Sequence, residues 1–386
     1  MSWPMVKLGD VCQITMGQAP SGSFYNEKGQ GYALIAGAGD FGQKKPIPKK
    51  YTTKASKLSK LGDIILCIRA TIGDLNWSDK EYCLGRGVAG LRGKESLDQG
   101  FLWHCLNYNR NVLSSKGTGS TFKQISRNHI EELIIPLPPI EEQRRIADIL
   151  DKADGIRQKR KQAIKLAENF LRVTFLEMFN NPVKNPKNLK KAPITELAEI
   201  ITGFAFKSND YVGDSLESVR LCRGANTLTG YLDWGDTKFW PKNKLEKLDN
   251  YLIKAGDIIL AMDRPWISNG LKVCIFPENQ RETYLVQRVA RLRPRCESYT
   301  NYIYSCIKSP AFEKHCRPTE TTVPHISPVE LKNFEVLIPN SELMDKYHSI
   351  ASTINNSLNK MDTCNISGDA LFSKLCQQAF SGHLKR

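Results

Sequence analysis

Lys60-Leu61-Gly62-Asp63-Ile64-Ile65-Leu66 returns 194 residues later as Lys254-Ala255-Gly256-Asp257-Ile258-Ile259-Leu260. Each copy reads as a Gly-Asp turn feeding a buried apolar strand. Two further echoes flank this one in the same order. Asp10-Val11-Cys12-Gln13-Ile14 followed by Gly17 is matched by Glu196-Leu197-Ala198-Glu199-Ile200 followed by Gly203. Ile125-Ser126 with Ile130, Leu133, Ile135 and Pro138 is matched by Ile326-Ser327 with Leu331, Phe334, Val336 and Pro339. The offset grows from 186 through 194 to 201, as loop insertions in the second copy would produce. One echo alone is weak, but three in order along the chain indicate a tandem duplication.

Within each copy the pattern is mixed, with short β segments between turn signals. Tyr32 to Ile35, Asp63 to Ile68 and Leu133 to Ile135 read as strands in the first copy, Asp257 to Met262 and Leu271 to Ile275 in the second. Long amphipathic helices are not evident before residue 140. There Pro138-Pro139-Ile140-Glu141-Glu142-Gln143 sets prolines at a helix entry and acids in its first turn, where the macrodipole favours them. Asn180-Asn181-Pro182 stops that helix. A second helix opens at Pro339-Asn340-Ser341-Glu342 and closes near Gly382, with a polar stretch from Asn355 to Gly368 that predicts a bend or fraying. The expected fold class is therefore α+β, with two tandem mixed α/β domains, each followed by a long helix. The divisions expected are 1–139, a helical region 140–180, a linker 181–192, a second domain 193–339 and a second helical region 340–386.

The two helices are expected to pair as an antiparallel coiled coil. In the first, Ile146, Ile149, Ala153, Ile156, Arg160, Ala163, Ala167, Phe170 and Thr174 step three and four residues at a time, a heptad seam broken by one arginine. Leu150, Ile164, Leu171, Phe175 and Met178 widen the apolar face. Ile350, Ile354, Met361, Leu371 and Leu375 supply the second helix's side. At 1.5 Å per residue, about 33 residues make a rod of roughly 50 Å, enough to hold two domains apart.

At 386 residues with 41% hydrophobic and 25% charged side chains, the chain suits a soluble protein of two or three units and not wholesale disorder. Met-Ser-Trp-Pro-Met-Val-Lys lacks the plan of a signal peptide, and no apolar run approaches the roughly 18 residues that span a bilayer. A cytoplasmic location without a membrane follows as the expectation. Eleven scattered cysteines with no C-x-x-C read as reduced, packed thiols, and no zinc site is expected. A net charge of +15 points to a polyanion. Residues 140–179 hold 9 basic and 7 acidic side chains and residues 341–386 hold 5 and 4, so most of the excess lies in the globular parts and the lysine-rich linker. Two basic domains on a nearly neutral spacer suit two segments of double-stranded DNA.

Motifs for chemistry mostly fail. Gly37-Ala38-Gly39-Asp40-Phe41-Gly42 fits G-x-G-x-x-G, but Gln43-Lys44-Lys45-Pro46-Ile47-Pro48 cannot be the helix a dinucleotide fold needs, so a structural turn is expected. Adenine-methyltransferase loops and phosphate loops are absent from the sequence. Glu330-Leu331-Lys332 resembles the E-x-K of metal nucleases, but His129 holds the place of Glu330 in the other copy, which favours a helix surface.

Binding residues are better represented. Lys116, Ser120, Thr121 and Lys123 belong to a small, hydroxyl-rich basic loop whose counterpart carries Thr321, Thr322 and His325. Hydroxyls, backbone N–H groups and lysines are what phosphate contacts use. Arg69 with Thr71, just past the first Ile-Ile-Leu strand, is matched with Arg264 past the second, and an arginine at a strand end reaches a guanine edge. Arg223, at the strand end of the second copy's Gly37 equivalent, joins this set.

Taken together the features resemble the specificity subunit of type I restriction–modification systems. The stretch carrying most of the likeness is Ile135-Pro136-Leu137-Pro138-Pro139-Ile140-Glu141-Glu142-Gln143-Arg144-Arg145-Ile146-Ala147, supported by Phe175-Leu176-Glu177-Met178-Phe179 and Ala379-Phe380-Ser381-Gly382-His383-Leu384. The second copy departs from it with Pro339-Asn340-Ser341-Glu342-Leu343. The resemblance implies a non-catalytic DNA reader of host defence, with two target-recognition domains, each reading half of a split DNA target, and helices that set the gap. It further implies two methyltransferase subunits and restriction/translocase subunits as partners. S-adenosylmethionine, Mg and ATP then belong to those partners, and this chain needs no cofactor. The alternative from another class is a stand-alone nuclease or modification enzyme with an unrecognised active site. A coiled-coil scaffold that ignores base sequence is a third.

Overall fold

A computed structural model of the chain describes residues 3–119, 123–180, 185, 188–316 and 324–384, with the backbone alone for 359–368. Contacts divide the chain into two compact units, Met1–Lys161 with Asp362–Arg386, and Gln162–Met361. The division falls inside both long helices, so each unit contains the start of one and the end of the other.

The first unit contains β1 (Cys12–Met16), β2 (Tyr32–Ile35), β3 (Ile64–Cys67), β4 (Leu75–Trp77), β5 (Cys83–Leu84), β6 (Val88–Gly93), α1 (Gln99–Tyr108) and the beginning of α2 (Ile140–Phe179). Its main sheet is antiparallel in the order β1-β6-β3-β4, while β2 and β5 pair in parallel. The second unit repeats this with β7 (Ala198–Thr202), β8 (Ser218–Cys222), β9 (Ile258–Ala261), β10 (Val273–Ile275), β11 (Thr283–Leu285), β12 (Val289–Pro294), α3 (Thr300–Ile307) and the beginning of α4 (Ser341–Ser381). The order β7-β12-β9-β10 and the parallel β8-β11 pair match strand for strand. Register matches too, with Ile64 opposite Leu91 and Ile258 opposite Leu292. The duplication read from the sequence is a duplication of fold.

The repeated Gly-Asp explains its own recurrence. Gly62 and Gly256 sit at φ of 84° and 83°, the left-handed region where a side chain is costly. The buried carboxylate that follows accepts from the turn, Lys60 N–H to Asp63 and Lys254 N–H to Asp257, both at 2.7 Å. The same carboxylates accept from an arginine on the neighbouring strand, Arg92 Nε at 2.6 Å and Arg293 Nε at 2.8 Å. Gly17 and Gly203 recur for a different reason. A Cβ on Gly17 would lie 2.1 Å from the Gly85 carbonyl oxygen, and one on Gly203 would lie 2.2 Å from that of Val286.

The largest hydrophobic cluster of each unit takes in both long helices. In the first, Ile64, Leu66, Leu91, Phe101 and Leu102 pack with Ile146 and Leu150 of α2 and with Cys376, Ala379 and Phe380 of α4. Burying each large aliphatic side chain contributes about 1.5–3 kcal/mol. Trp3 Nε1 donates to the Ala379 carbonyl at 3.0 Å, and Phe101 meets Phe380 edge-on at 5.7 Å. In the second, Phe175 and Phe179 at the end of α2 pack on Tyr302 and Tyr347, with ring centroids 4.7 Å apart for Phe179–Tyr302 and 5.2 Å for Phe179–Tyr347. Within each unit, therefore, the two helices touch in opposite chain order. In the first, Arg157 bonds Asp369 at 3.3 Å and lies 4.6 Å over the Phe372 ring.

The packed face of α2 covers the expected seam only in part. Ile146 is buried and Ile149 and Ala163 are half-buried, but Ile156 is 60% and Phe170 54% exposed. On α4, Ile350, Ile354 and Leu375 are half-buried, Leu371 is 63% exposed, and the Met361 side chain lies outside the described residues. Beside Ile146, contact runs through Leu150, Leu171, Phe175 and Met178, which the sequence reading placed on the widened apolar face, and through Arg157, about one residue on from the seam. One residue is about 100° of helix. Both lines are apolar in sequence, and the domains decide which residues of each are covered. The backbone of α4 remains helical through its polar middle. Asn180, at φ of 63°, ends α2, and the Asn340 side chain accepts from Leu343 N–H at the start of α4.

The departure of the second copy has a packing reason. Gln143 is fully buried, its amide accepting from Asp98 N–H at 2.8 Å and donating to the Ser96 and Pro138 carbonyls at 2.9 and 2.8 Å. Met344 holds the equivalent place and is buried in the apolar cluster beside Tyr347, whose hydroxyl pairs with Ser305 at 2.7 Å. A polar anchor in one copy is an apolar one in the other. The ten described cysteines are unpaired, and nine are buried. Among the described residues no helix is long and apolar enough to cross a membrane.

Candidate nucleic-acid interface

The enzyme-like motifs have structural work. Gly37-Ala38-Gly39-Asp40 forms a 3-10 turn in which the Asp40 carboxylate accepts from Ala36 N–H at 2.8 Å. Asn226 does the same for Arg223 N–H at 3.1 Å in the second unit. Glu330 closes a capping box with Ser327, as His129 does with Ser126.

Three backbone segments converge at one edge of the first unit. Ile68 N–H donates to the Gly87 carbonyl at 2.9 Å, joining the end of β3 to the turn before β6. On its other side, Ala70 N–H donates to the Lys123 carbonyl at 2.9 Å, and Ile125 N–H to the Ile68 carbonyl at 3.0 Å. Thr118 and Gln124 exchange hydrogen bonds at 3.0 and 2.9 Å and close the basic loop on itself. Ala70, at φ of 63°, turns the chain between Arg69 and Thr71, and both side chains are exposed. The strand-end pair and the described residues of the basic loop, read separately from the sequence, thus form one surface. It carries exposed Arg69, Arg86 and Lys123 with half-buried Lys116. Arg69, Thr71 and Arg86 border a shallow, glycine-walled cleft of about 500 Å³. Ser120 and Thr121 lie outside the described residues.

An equivalent edge exists in the second unit. Met262 N–H donates to the Arg288 carbonyl at 2.9 Å, Arg264 N–H to that of Pro324 at 3.1 Å, and Ile326 N–H to that of Met262 at 2.8 Å. This register corrects the match made from sequence. Asp263, which bridges His325, holds the place of Arg69, which bridges Gln124. Arg264, at φ of 44°, therefore stands where Ala70 does. Its side chain and that of His325 are exposed on this edge. Asp263 is engaged by Arg288 at 2.5 Å. Thr321 and Thr322 lie outside the described residues.

Arg223 does not join the surface as a free cation. Its guanidinium donates to the Asp236 carboxylate at 2.8 Å and to that residue's carbonyl, and Lys238 binds the same carboxylate at 2.8 Å. Lys238 and Arg223 together hold Asp236 down at about 2, so the network stays charged at neutral pH. Sequence reasoning missed Arg86, Gln287 and Arg288. The signal was present in the shared pattern of Leu84-Gly85-Arg86-Gly87-Val88-Ala89 and Leu285-Val286-Gln287-Arg288-Val289-Ala290.

The family described as type I restriction modification DNA specificity domain matches residues 2–166. The chain is similar to the type I restriction enzyme MjaX specificity subunit of Methanocaldococcus jannaschii, 38% identical over 172 residues, 43% of this chain and 40% of that protein's length. It is also similar to the MjaVIII specificity subunit of the same organism, 24% identical over 88% of this chain and 83% of the relative. Among solved structures, the type I restriction–modification S subunit from M. genitalium shares the fold with a TM-score of 0.65 at 15% identity, covering 98% of this chain and 96% of the other.

Proposed function

We propose that this chain, whose residues 2–166 match the type I restriction modification DNA specificity domain family, is the DNA-reading specificity subunit of a type I restriction–modification complex. The observation that carries this reading is an edge of the same construction, with exposed basic side chains, built twice on one duplicated sheet scaffold. Each domain reads one half of a bipartite target in double-stranded DNA, and α2 and α4 set the gap. The chain is non-catalytic, acts in the cytoplasm, and leaves S-adenosylmethionine, Mg and ATP to methyltransferase and restriction/translocase subunits. Support for a protein partner on the helices comes from Leu166, Phe170, Val173 and Leu176, exposed along α2. Exposed apolar patches of this kind mark interaction surfaces.

The division of labour is tested with purified components. The chain alone transfers no methyl group, cuts no DNA and hydrolyses no ATP. With two copies of its cognate methyltransferase subunit it directs methylation to a motif of two short specified parts separated by unspecified bases. Methylation or cleavage by the chain alone would overturn the reading, as would a complex that methylates without sequence preference.

Lys116 and Lys123 are expected to act on phosphate. Replacing both with alanine weakens binding at any sequence. It also lowers the slope of log affinity against log salt by about 0.9 for each phosphate no longer neutralised, or about 1.8 for the pair. Filter binding between about 50 and 200 mM salt measures it. An unchanged slope returns both residues to an ordinary surface turn.

A further inference from the structure

We propose that Arg86 and Gln287, at one and the same position of the two copies, each select one base of their half-site, guanine for Arg86 and adenine for Gln287. The proposal rests on the reading of the chain as a two-domain DNA reader and names two of its specificity-determining residues.

Equivalence of the two positions is fixed by hydrogen bonding. Each follows the parallel strand pair, Ile35 with Leu84 and Cys222 with Leu285. Each precedes a residue whose carbonyl accepts from the end of the central strand, Ile68 to Gly87 and Met262 to Arg288. Both side chains are exposed on the edge that also carries the strand-end residues and Lys123 or His325.

The backbone beneath them is rigid. Gly85 N–H donates to the Ile35 carbonyl at 2.8 Å, and a Cβ on Gly87 would lie 2.2 Å from the Ala36 carbonyl oxygen. In the second copy Val286 N–H donates to the Cys222 carbonyl at 3.1 Å, and Gln287 N–H to that of Phe204 at 2.8 Å. A side chain projecting from a fixed backbone needs no backbone ordering to meet a base, and its reach is set by the fold.

The residue types decide the role. Arginine serves both phosphate and guanine, where it bonds O6 and N7 together. Glutamine adds no charge against phosphate, but it bonds adenine N6 and N7 together. A shared position that holds arginine in one copy and glutamine in the other therefore fits base reading and not phosphate neutralisation. The neighbouring position behaves differently. Asp263, in the place of Arg69, is taken up by Arg288 within its own unit.

The test is methylome sequencing of cells carrying the complete complex with wild-type chain, R86Q or Q287R, alongside binding of the purified complexes to duplexes with each base at each specified position. R86Q is expected to move one position of one half from guanine toward adenine, and Q287R one position of the other half from adenine toward guanine. The rest of the motif and its gap stay as they were. R86A, at an exposed position, is expected to relax that same base position, cutting discrimination roughly 5- to 150-fold. If an R86Q complex methylates nothing, the binding panel with R86A decides. Wild-type base preference at every position of a bipartite motif overturns the assignment and leaves the two-domain reading standing. Absence of any bipartite motif from the wild-type complex overturns the reading itself and the assignment with it.

Discussion

Replacing Asp257 with alanine is expected to destabilise the second unit by about 3 kcal/mol, the lower end of the cost of stranding one partner of a buried ion pair, because Arg293 is itself 26% exposed. Its carboxylate is 2% exposed and bonds Arg293 at 2.7 Å through Nη2 and 2.8 Å through Nε, besides closing the turn at Lys254 N–H. Alanine removes all three bonds and leaves the Arg293 guanidinium with the Leu252 carbonyl. The comparison that isolates burial is Asp263→Ala, because the Asp263–Arg288 pair is 40% and 69% exposed. An exposed pair contributes only about 0–1 kcal/mol. Urea unfolding, with hydrogen exchange read in the strand Ile258–Ala261, measures both. Equal losses for the two variants would show that the repeated Gly-Asp is not the structural key of the domain.

Four residues inserted in α2 beside Arg160 are expected to change the gap in the methylated motif and leave its specified bases alone. The insertion adds about 6 Å of helix and turns the following residues by about 40°, small enough for the apolar stripe to re-engage. Residues up to Lys161 belong to the first unit and those from Gln162 to the second, so the change falls where the chain passes from one to the other. With base pairs about 3.4 Å apart, the gap should shift by one or two. Methylome sequencing with native partners reads it directly. A motif with the old gap, from a variant that folds and assembles, would remove the helices from the role of spacer.

Both expectations begin in the sequence, because the repeat was legible there. Gly17 and Gly203 recur because a neighbouring carbonyl leaves no room for a side chain, and Asp63 and Asp257 recur because each serves a turn and an arginine together. Such requirements are local and act on one residue type, so they survive as identities. Helix ends were legible for the same reason, through Asn180, Asn340 and Gly382. The short helix α1 left no such trace. It buries Phe101, Leu102, His104, Cys105 and Leu106, and that breadth erases the amphipathic stripe by which a helix is recognised.

By itself, then, the sequence determined that the chain is a duplicated α+β protein with two long helices, basic globular parts and the specificity-subunit pattern. Tertiary structure alone decided which side chains are used. Ile156 and Phe170 lie on a stripe as apolar as the one through Leu150, Leu171 and Phe175, and a helix's pattern cannot say which stripe a domain will cover. Arg264 resembles Arg69 in type and distance from the strand, but the ladder sets Asp263 there, because pairing is counted in backbone hydrogen bonds and not in residue likeness. Arg223 is available in the sequence, but Asp236, 13 residues on, holds it. Arg86 and Lys123 became neighbours of Arg69 only through bonds to Ile68 and Ala70. Contacts between segments far apart in sequence are set by the packing of the whole domain, and no local pattern records them.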